Sequence, residues 1–290
     1  MLPSLLLYGL INSVTLALTA LGFSLTYGIS RVANFAHGAL YVLAGFSAWF
    51  FLNRLHLNYY LAVLLSLLLI SLIGAAIYRL ALIRVRGMPL LEIIVTFALG
   101  TATIETLRYF GFLGSSYSLP PLLRGSVSIF SVPVDSHRIA LVVIGVVLIS
   151  LLWIFTHHTR TGLAFRAMAQ DEQAAMMLGI DSDKMATLSL AFGAALVGLA
   201  AVVVLPLGFI ATESGGNILV SSIAVCILGG LESTAGVIVA SLIIGYAQIF
   251  TVAYVGPHYQ MIVSLLAILV TLILKPSGLF GKQKELEERV

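Results

Sequence analysis

The 290-residue sequence is 60% hydrophobic and 9% charged, with 15 Lys+Arg against 12 Asp+Glu. An average soluble domain carries roughly 25% charged residues. Windows 1–30, 32–53, 55–78, 139–159, 185–212, 214–231 and 233–274 hold no Asp, Glu, Lys or Arg at all. All but 214–231 reach the ~20 apolar residues a helix needs to cross ~30 Å of hydrocarbon. A soluble enzyme, a disordered chain and a nucleic-acid binder are excluded. The composition is that of an all-α, polytopic membrane protein.

In chain order, nine apolar segments are expected: 5–30, 35–52, 58–78, 90–112, 138–156, 186–207, 218–230, 233–254 and 257–274. They predict a single transmembrane domain over 1–290 with eight to nine spans, some short or broken. The first segment is long for a signal-peptide core, and residues 1–4 carry no basic side chain, so a retained span ending at Arg31 is expected. Between the fourth and fifth segments, the extracytoplasmic loop 113–137 is polar and turn-rich, with Pro120-Pro121. Its alternating run Ser126-Val127-Ser128-Ile129-Phe130-Ser131-Val132 fits a short hairpin, and an irregular loop fits equally well. Segment 218–230 is too short to cross alone, which predicts a half-helix or re-entrant element shielded by protein. Val255-Gly256-Pro257-His258 predicts a tight turn before the last segment.

Orientation follows from the basic residues. With the N-terminus outside, stretches 31–37, 79–92, 157–184 and 275–290 are cytoplasmic. They hold Arg31, Arg79, Arg84, Arg86, Arg160, Arg166, Lys184, Lys275, Lys282, Lys284 and Arg289. The outer loops hold Arg54, Arg124 and Arg138. Excess Lys/Arg marks cytoplasmic loops, so the expected topology is N-out, C-in.

No catalytic residue is expected. The sequence lacks H-E-x-x-H, G-x-S-x-G and C-x-x-C. His157 and His158 are adjacent, so on a helix they point about 100° apart and cannot share a metal. The single Cys226 supports neither a disulfide framework nor a metal cluster. The string nearest to a phosphate-binding loop, Gly278-Leu279-Phe280-Gly281-Lys282-Gln283, lacks the glycine spacing and the Ser/Thr after lysine. A pump built on this chain therefore needs its ATPase on another polypeptide.

The cytoplasmic stretch 157–184 is the most informative. Composition from Leu163 to Leu178 favours one amphipathic helix stopped by Gly179. Small residues Ala174 and Ala175 would let another protein approach closely. A helix lying flat on the membrane fits the composition as well. Arg160-Thr161-Gly162, Asp171-Glu172-Gln173-Ala174-Ala175 and Gly179-Ile180 resemble the coupling loop of bacterial ABC importer permeases. They resemble more specifically the permease subunits of high-affinity branched-chain amino acid transporters. Arg31-Val32-Ala33-Asn34-Phe35-Ala36-His37-Gly38 resembles that family's signature after its first span. Ile227-Leu228-Gly229-Gly230 with Gly236, and Lys275-Pro276-Ser277-Gly278-Leu279-Phe280-Gly281, resemble two more of its blocks, so the likeness runs from Tyr8 to Gly281. Two departures stand out. Many relatives carry a glutamate after the His-Gly where this chain has Ala39, and Gln173 offsets Glu172 from the family's Glu-Ala-Ala pattern, which leaves Glu172 without an assigned role.

The resemblance implies the membrane subunit of a binding-protein-dependent importer in the bacterial inner membrane. Arg160, Gly162, Arg166, Asp171, Ala174, Ala175 and Gly179 would form its ATPase-coupling loop. The implied partners are a second permease subunit (a related chain or another copy), two cytoplasmic P-loop ATPases and a periplasmic substrate-binding protein. No cofactor is expected on this chain, because ATP would sit on the partner subunits. Look-alike permeases for urea, amides or aromatic acids are the near alternative. An ion-coupled secondary transporter would need intramembrane acids, and Glu105 alone qualifies.

Interrupted helices near the bilayer middle point to a transport path. Breaks at 34–38 and 213–217 occupy comparable places in halves of opposite orientation, which predicts an inverted repeat. Asn34, His37, Asn217, Gly229 and Gly230 are the candidate gate or path residues. Helix capping at the cytoplasmic interface is the plainer role for Asn34 and His37. Glu105 and Arg108, at i,i+3 in the fourth span, are expected to pair, since an ionisable group in lipid costs about 2.5–3.5 kcal/mol. Asn12, Ser13, Thr15, Thr19 and Ser24, with Gly236, Ala240, Ser241 and Gly245, predict close helix packing.

Overall fold

The computed structural model describes residues 2–112, 117–129 and 132–281. In chain order the elements are α1 (Leu2–Ser30), α2 (His37–Asn53), α3 (Tyr59–Ala76), a π-helical turn Ile77–Leu82, α4 (Ile83–Val85), α5 (Pro89–Tyr109), β1 (Ser126–Ile129) and β2 (Val132–Asp135). Then follow α6 (Ser136–His158), α7 (Arg160–Gln170), α8 (Glu172–Met177), α9 (Ser182–Val204), α10 (Ser214–Gly229), α11 (Thr234–Tyr254) and α12 (Gln260–Leu274). Among the described residues, seven stretches are long and apolar enough to cross a bilayer: 2–30, 59–85, 89–109, 136–158, 182–207, 234–254 and 257–274. The chain is a multi-pass membrane protein, with α2 (17 residues) and α10 (16 residues) as the short helices.

Local chemistry sets the boundaries. The Asn58 side-chain Oδ1 caps α3 by accepting the Leu61 N–H (2.8 Å), and the Ser233 hydroxyl caps α11 through the Gly236 N–H (3.0 Å). Pro89 opens α5, where its missing N–H is no loss. Gly256, at φ +139, turns the chain ahead of Pro257 and separates α11 from α12, as the Gly-Pro sequence predicts. The outer loop does form a hairpin, in register Ser126↔Asp135 through Ile129↔Val132. Phe130 and Ser131 lie outside the described residues.

Two expectations need correction. The third span runs on to Val85, so Arg79 and Arg84 ride on the helix and the cytoplasmic connection shrinks to residues 86–88. Long basic side chains at a helix end reach water without ending the helix. The coupling stretch is two helices rather than one. Asp171 is extended (φ −153°, ψ 109°), and its carboxylate accepts the Ala174 N–H at 3.0 Å. Asp competes with helical hydrogen bonding in a helix interior and favours this capping position.

The packing reveals the inverted repeat. Exchanging α1, α2, α3 and α5 for α9, α10, α11 and α12 maps most of the main helix contacts onto one another, the α11–α12 packing excepted. Thus α1 packs on α11 as α9 packs on α3, α2 on α9 as α10 on α1, and α2 on α5 as α10 on α12. The pairs α1–α9 and α2–α10 cross the axis itself. Both crossings use glycine reciprocally. A Cβ on Gly22 would lie 2.6 Å from the Gly193 carbonyl oxygen, and one on Gly193 would lie 2.7 Å from that of Gly22. Likewise Gly38 would collide with the Gly215 carbonyl oxygen, and a Cβ on Gly215 would stand 3.0 Å from that of Gly38. The α1–α9 contacts run Gly22–Gly193 and then Thr26–Ser189, so the two helices are antiparallel.

Gly38→Ala should be the most disruptive single-methyl change at this crossing, because backbone rather than a flexible side chain fills the space. Overpacking of this kind costs roughly 1–3 kcal/mol or more. A thermal melt of the detergent-solubilised protein should show a clear drop, while Gly216→Ala, beside open space and without a positive φ, should shift the melt less.

Candidate functional site: buried helix starts and a cytoplasmic elbow

The chain between α1 and α2 folds back into the protein. The His37 ring packs edge-on to Phe23 (centroids 5.6 Å apart) and meets the Thr19 carbonyl oxygen at 2.9 Å. That oxygen accepts only, so Nε2 carries the proton. Thr19 lies eleven residues before the end of α1, ~16 Å inward at 1.5 Å per residue. Asn34 is buried, its side-chain oxygen accepts the Ala36 N–H (3.1 Å), and its main-chain oxygen accepts the His37 N–H (3.2 Å). The Phe35 N–H finds the Thr96 hydroxyl of α5 at 3.2 Å. Capping at the cytoplasmic interface is therefore corrected: Asn34 and His37 organise a helix start deep inside the protein. There the first turn of α2 meets the first turn of α10 at Gly38 and Gly215.

The other candidates of that group fall elsewhere. Asn217 is exposed on α10. Gly229 is pressed backbone to backbone against Gly236 of α11, and Gly230 adopts φ +103. The Leu228 and Gly229 carbonyls accept the Leu279 and Phe280 N–H groups at 2.8 and 3.1 Å. Both glycines thus clamp the chain after α12 under the far end of α10, away from His37. Sequence reasoning missed a polar relay in the interior. The Asn12 amide donates to Gln248 (2.9 Å), whose own amide donates to Ser264 (2.9 Å), while Gln260 donates to Gln248 (3.3 Å). A lone glutamine in an apolar helix gives no sign of its partners until the helices are assembled.

At the Arg31 end of α1, α6 turns sharply into α7 and then α8, an elbow tucked against α1. The Thr159 hydroxyl donates to the Phe155 carbonyl (2.7 Å) and accepts the Gly162 N–H (2.9 Å). A Cβ at Gly162 would collide with the Phe155 carbonyl oxygen, so the bend requires glycine. Phe165, Met168 and Ala175 pack with Leu25 and Ile29 of α1. Ala175 is thereby corrected as a contact for another protein, since the chain buries it itself. Ala174 and Arg160 stay exposed, and Gly179 (φ +85) ends α8, where the Ile180 N–H returns to the Ala175 carbonyl (3.1 Å).

Arginines fasten the elbow on both sides of its break at Asp171. Arg31 pairs with Glu232 and donates to the Ala169 carbonyl at 2.8 Å, tying α7 to the end of α1 and to the α10–α11 turn. Arg86 contacts Glu172, Ser182 and Asp183, tying α8 to the end of α4 and the start of α9. The Ser182 hydroxyl also donates to Glu172 (2.5 Å), and the Tyr78 hydroxyl donates to Asp183 (2.7 Å). The displaced Glu172 thus gains a place as an anchor. The Asp181 carboxyl, accepting from the Lys184 main chain and side chain, is held below its ordinary value.

Glu105 and Arg108 face each other at 2.7 Å, but Arg108 also reaches Glu213 at 3.1 Å and the Thr212 hydroxyl at 3.3 Å. This clasp joins α5 to the start of α10. The Glu213 carboxyl sits below its ordinary value through its own main-chain N–H, the Thr212 hydroxyl and Arg108.

Residues 5–272 match the protein family described as branched-chain amino acid transport system / permease component. The chain belongs to this family. It is 28% identical to the high-affinity branched-chain amino acid transport system permease protein LivH of Salmonella typhimurium, covering 93% of this chain and 94% of that one. It is 27% identical to BraD of Pseudomonas aeruginosa, covering 96% and 95%. The probable branched-chain amino acid transport permease protein LivH of Methanocaldococcus jannaschii is 25% identical, covering 94% and 90%. A chain of PsaBC from Streptococcus pneumoniae, solved in complex with Fab, has the same fold at a TM-score of 0.51 and 15% identity, over 94% of this chain and 92% of that one.

The third carboxylate changes what a charge swap should do. Exchanging Glu105→Arg with Arg108→Glu restores the original pair but sets a carboxylate against Glu213. The double variant should therefore melt below wild type, and adding Glu213→Gln should recover most of the loss. Full recovery in the double variant alone would reduce the clasp to the i,i+3 pair.

Proposed function

We propose that this chain is the membrane-embedded permease subunit of a binding-protein-dependent ABC importer for amino acids, most specifically branched-chain ones. The observation that carries this reading is the elbow. Its outermost residues, Met177 and Leu178, are 87% and 82% exposed. Its body is wired by Arg31 to the crossing helix α1 and by Arg86 to α4 and α9. An apolar tip on a stiffly anchored base is suited to receive a push from a docked protein and pass it to the spans. Membership in the permease family and the full-length likeness to LivH and BraD support the substrate class.

In this proposal two cytoplasmic P-loop ATPases dock on the elbows of paired permease subunits in the bacterial inner membrane. A periplasmic binding protein delivers substrate beside the outer hairpin and the Arg108 clasp. The chain catalyses no covalent step and holds no cofactor; ATP binds to the partners. ATP-driven closure displaces the elbow, and α1 carries the motion to the crossing at Gly38 and Gly215. The relay Asn12–Gln248–Ser264 supplies polar groups inside the membrane, which a zwitterion requires.

The test is co-purification with the ATPase subunits. Met177→Asp combined with Leu178→Asp should abolish association, a loss of tenfold or more for an apolar hot spot, with an unchanged melt of the isolated chain. Arg86→Gln should keep association yet lower transport per ATP hydrolysed. Undiminished ATPase binding by the double variant would remove the elbow tip as the docking site.

A further inference from the structure

Two connected cavities open at the cytoplasmic end of the chain, on the side of α1 that faces α6 and α11. The larger, about 880 Å³, is a chamber between α1, α7, the α10–α11 turn and the chain after α12. The smaller, about 480 Å³, is an apolar slot lined by Leu21, Ile149, Leu152, Trp153 and Ile238. Thr156, His157, Thr234 and Ala235 line both, so the slot continues the chamber toward the membrane interior.

The chamber is more polar than the slot and holds unanswered donors. The Arg166 Nε is buried with no hydrogen-bond acceptor, and the Ser277 hydroxyl of the same chamber is buried without a partner. Among the described residues no carboxylate pairs with Arg166. Glu232, the acidic group on the chamber wall, is already engaged by Arg31. The buried Arg166 Nε–H is thus a donor left without an acceptor, which is costly, on a half-buried side chain that no described carboxylate pairs. His157 stacks on Trp153 (centroids 4.7 Å apart) where chamber meets slot. Trp at this depth is the usual marker of the headgroup level.

We propose that chamber and slot together bind one anionic glycerophospholipid of the cytoplasmic leaflet. Its phosphate sits against Arg166 and Ser277, and one acyl chain lies in the slot between α6 and α11. A cation at the polar end, an apolar groove leading inward and an aromatic at the junction match the three parts of such a lipid in order. Because Arg166 lies on α7, the bound headgroup would brace the elbow from inside, independent of what docks on its tip.

Native mass spectrometry of the purified full-length chain, offered phosphatidylglycerol and phosphatidylcholine with identical acyl chains, tests this. One phosphatidylglycerol per chain should be retained in at least tenfold preference. Arg166→Gln should erase the preference and Arg166→Lys should keep part of it. Ile238→Trp, which fills the slot, should lower retention of phosphatidylglycerol with Arg166 untouched. Circular-dichroism melts without added lipid identify variants that fold. No preference in the wild type, or full preference in folded Arg166→Gln, overturns the proposal. So does displacement by glycerol phosphate at equal concentration with no effect of Ile238→Trp, which would make the site one for a small soluble phosphate. Displacement by a free amino acid would make it a carboxylate site and overturn the proposal equally.

Discussion

Inside a membrane every main-chain donor must find a partner within the protein, and this chain starts two helices there. A helix start leaves its first N–H groups without intrahelical acceptors. At α2 the His37 N–H is met by the Asn34 carbonyl, while the Ala36 and Phe35 N–H groups just before the helix go to the Asn34 side chain and the Thr96 hydroxyl of a neighbouring span. His37 then fixes the depth of this start against α1 by donating to the Thr19 carbonyl. The starts of α2 and α10 meet backbone to backbone, an approach that glycine at 38 and 215 makes possible. The remaining architecture is arranged around this crossing. The spans α1 and α9 cross beside it through Gly22 and Gly193, and α3 and α11 close the outside of each half.

The same arrangement explains how distant faces are connected. The re-entrant connections lie at opposite ends of the bundle: residues 31–36 return from the C-terminal end of α1, and residues 208–213 lead to α10 from the C-terminal end of the antiparallel α9. The first of these begins at Arg31, which also holds the elbow through Ala169. Moving α7 therefore strains the chain six residues from His37. The elbow is stiff where it must transmit, at the Gly162 bend and the packed Phe165–Leu25 layer, and apolar where it protrudes, at Met177 and Leu178.

Hydrophobic windows and glycine-proline breaks made the spans legible, because lipid imposes a length and a polarity that composition cannot hide. The hairpin was visible as alternation, and the family through the Asn-Phe-Ala-His-Gly and coupling strings. What escaped was everything decided by pairing at long range. Asp171 breaks a run whose propensities favour one helix, because a single side-chain cap outweighs small differences in propensity. Ala175 looks like a docking residue until Phe165 and Met168 are seen to bury it. Glu172, offset by Gln173 from the expected pattern, appears idle in the sequence; Arg86, 86 positions earlier, is what employs it. The roles of Gly229 and Gly230 depended on the chain after α12 folding back beneath them.

The two re-entrant connections are fastened by comparable devices on opposite faces: Arg31 with Glu232 inside, Arg108 with Glu105 and Glu213 outside. All of these side chains are at least one-third exposed. Exposed ion pairs contribute about 0–1 kcal/mol, far less than the glycine crossing they flank. The crossing is thus the permanent joint and the pairs are latches, strong enough to hold a connection closed and weak enough to release it without unfolding. The two latches join different elements, the end of α1 to the α10–α11 turn and the end of α5 to the start of α10. Only the inner one is wired to the elbow, through the Arg31 contact with Ala169, so a force applied at the cytoplasmic side reaches the two latches unequally.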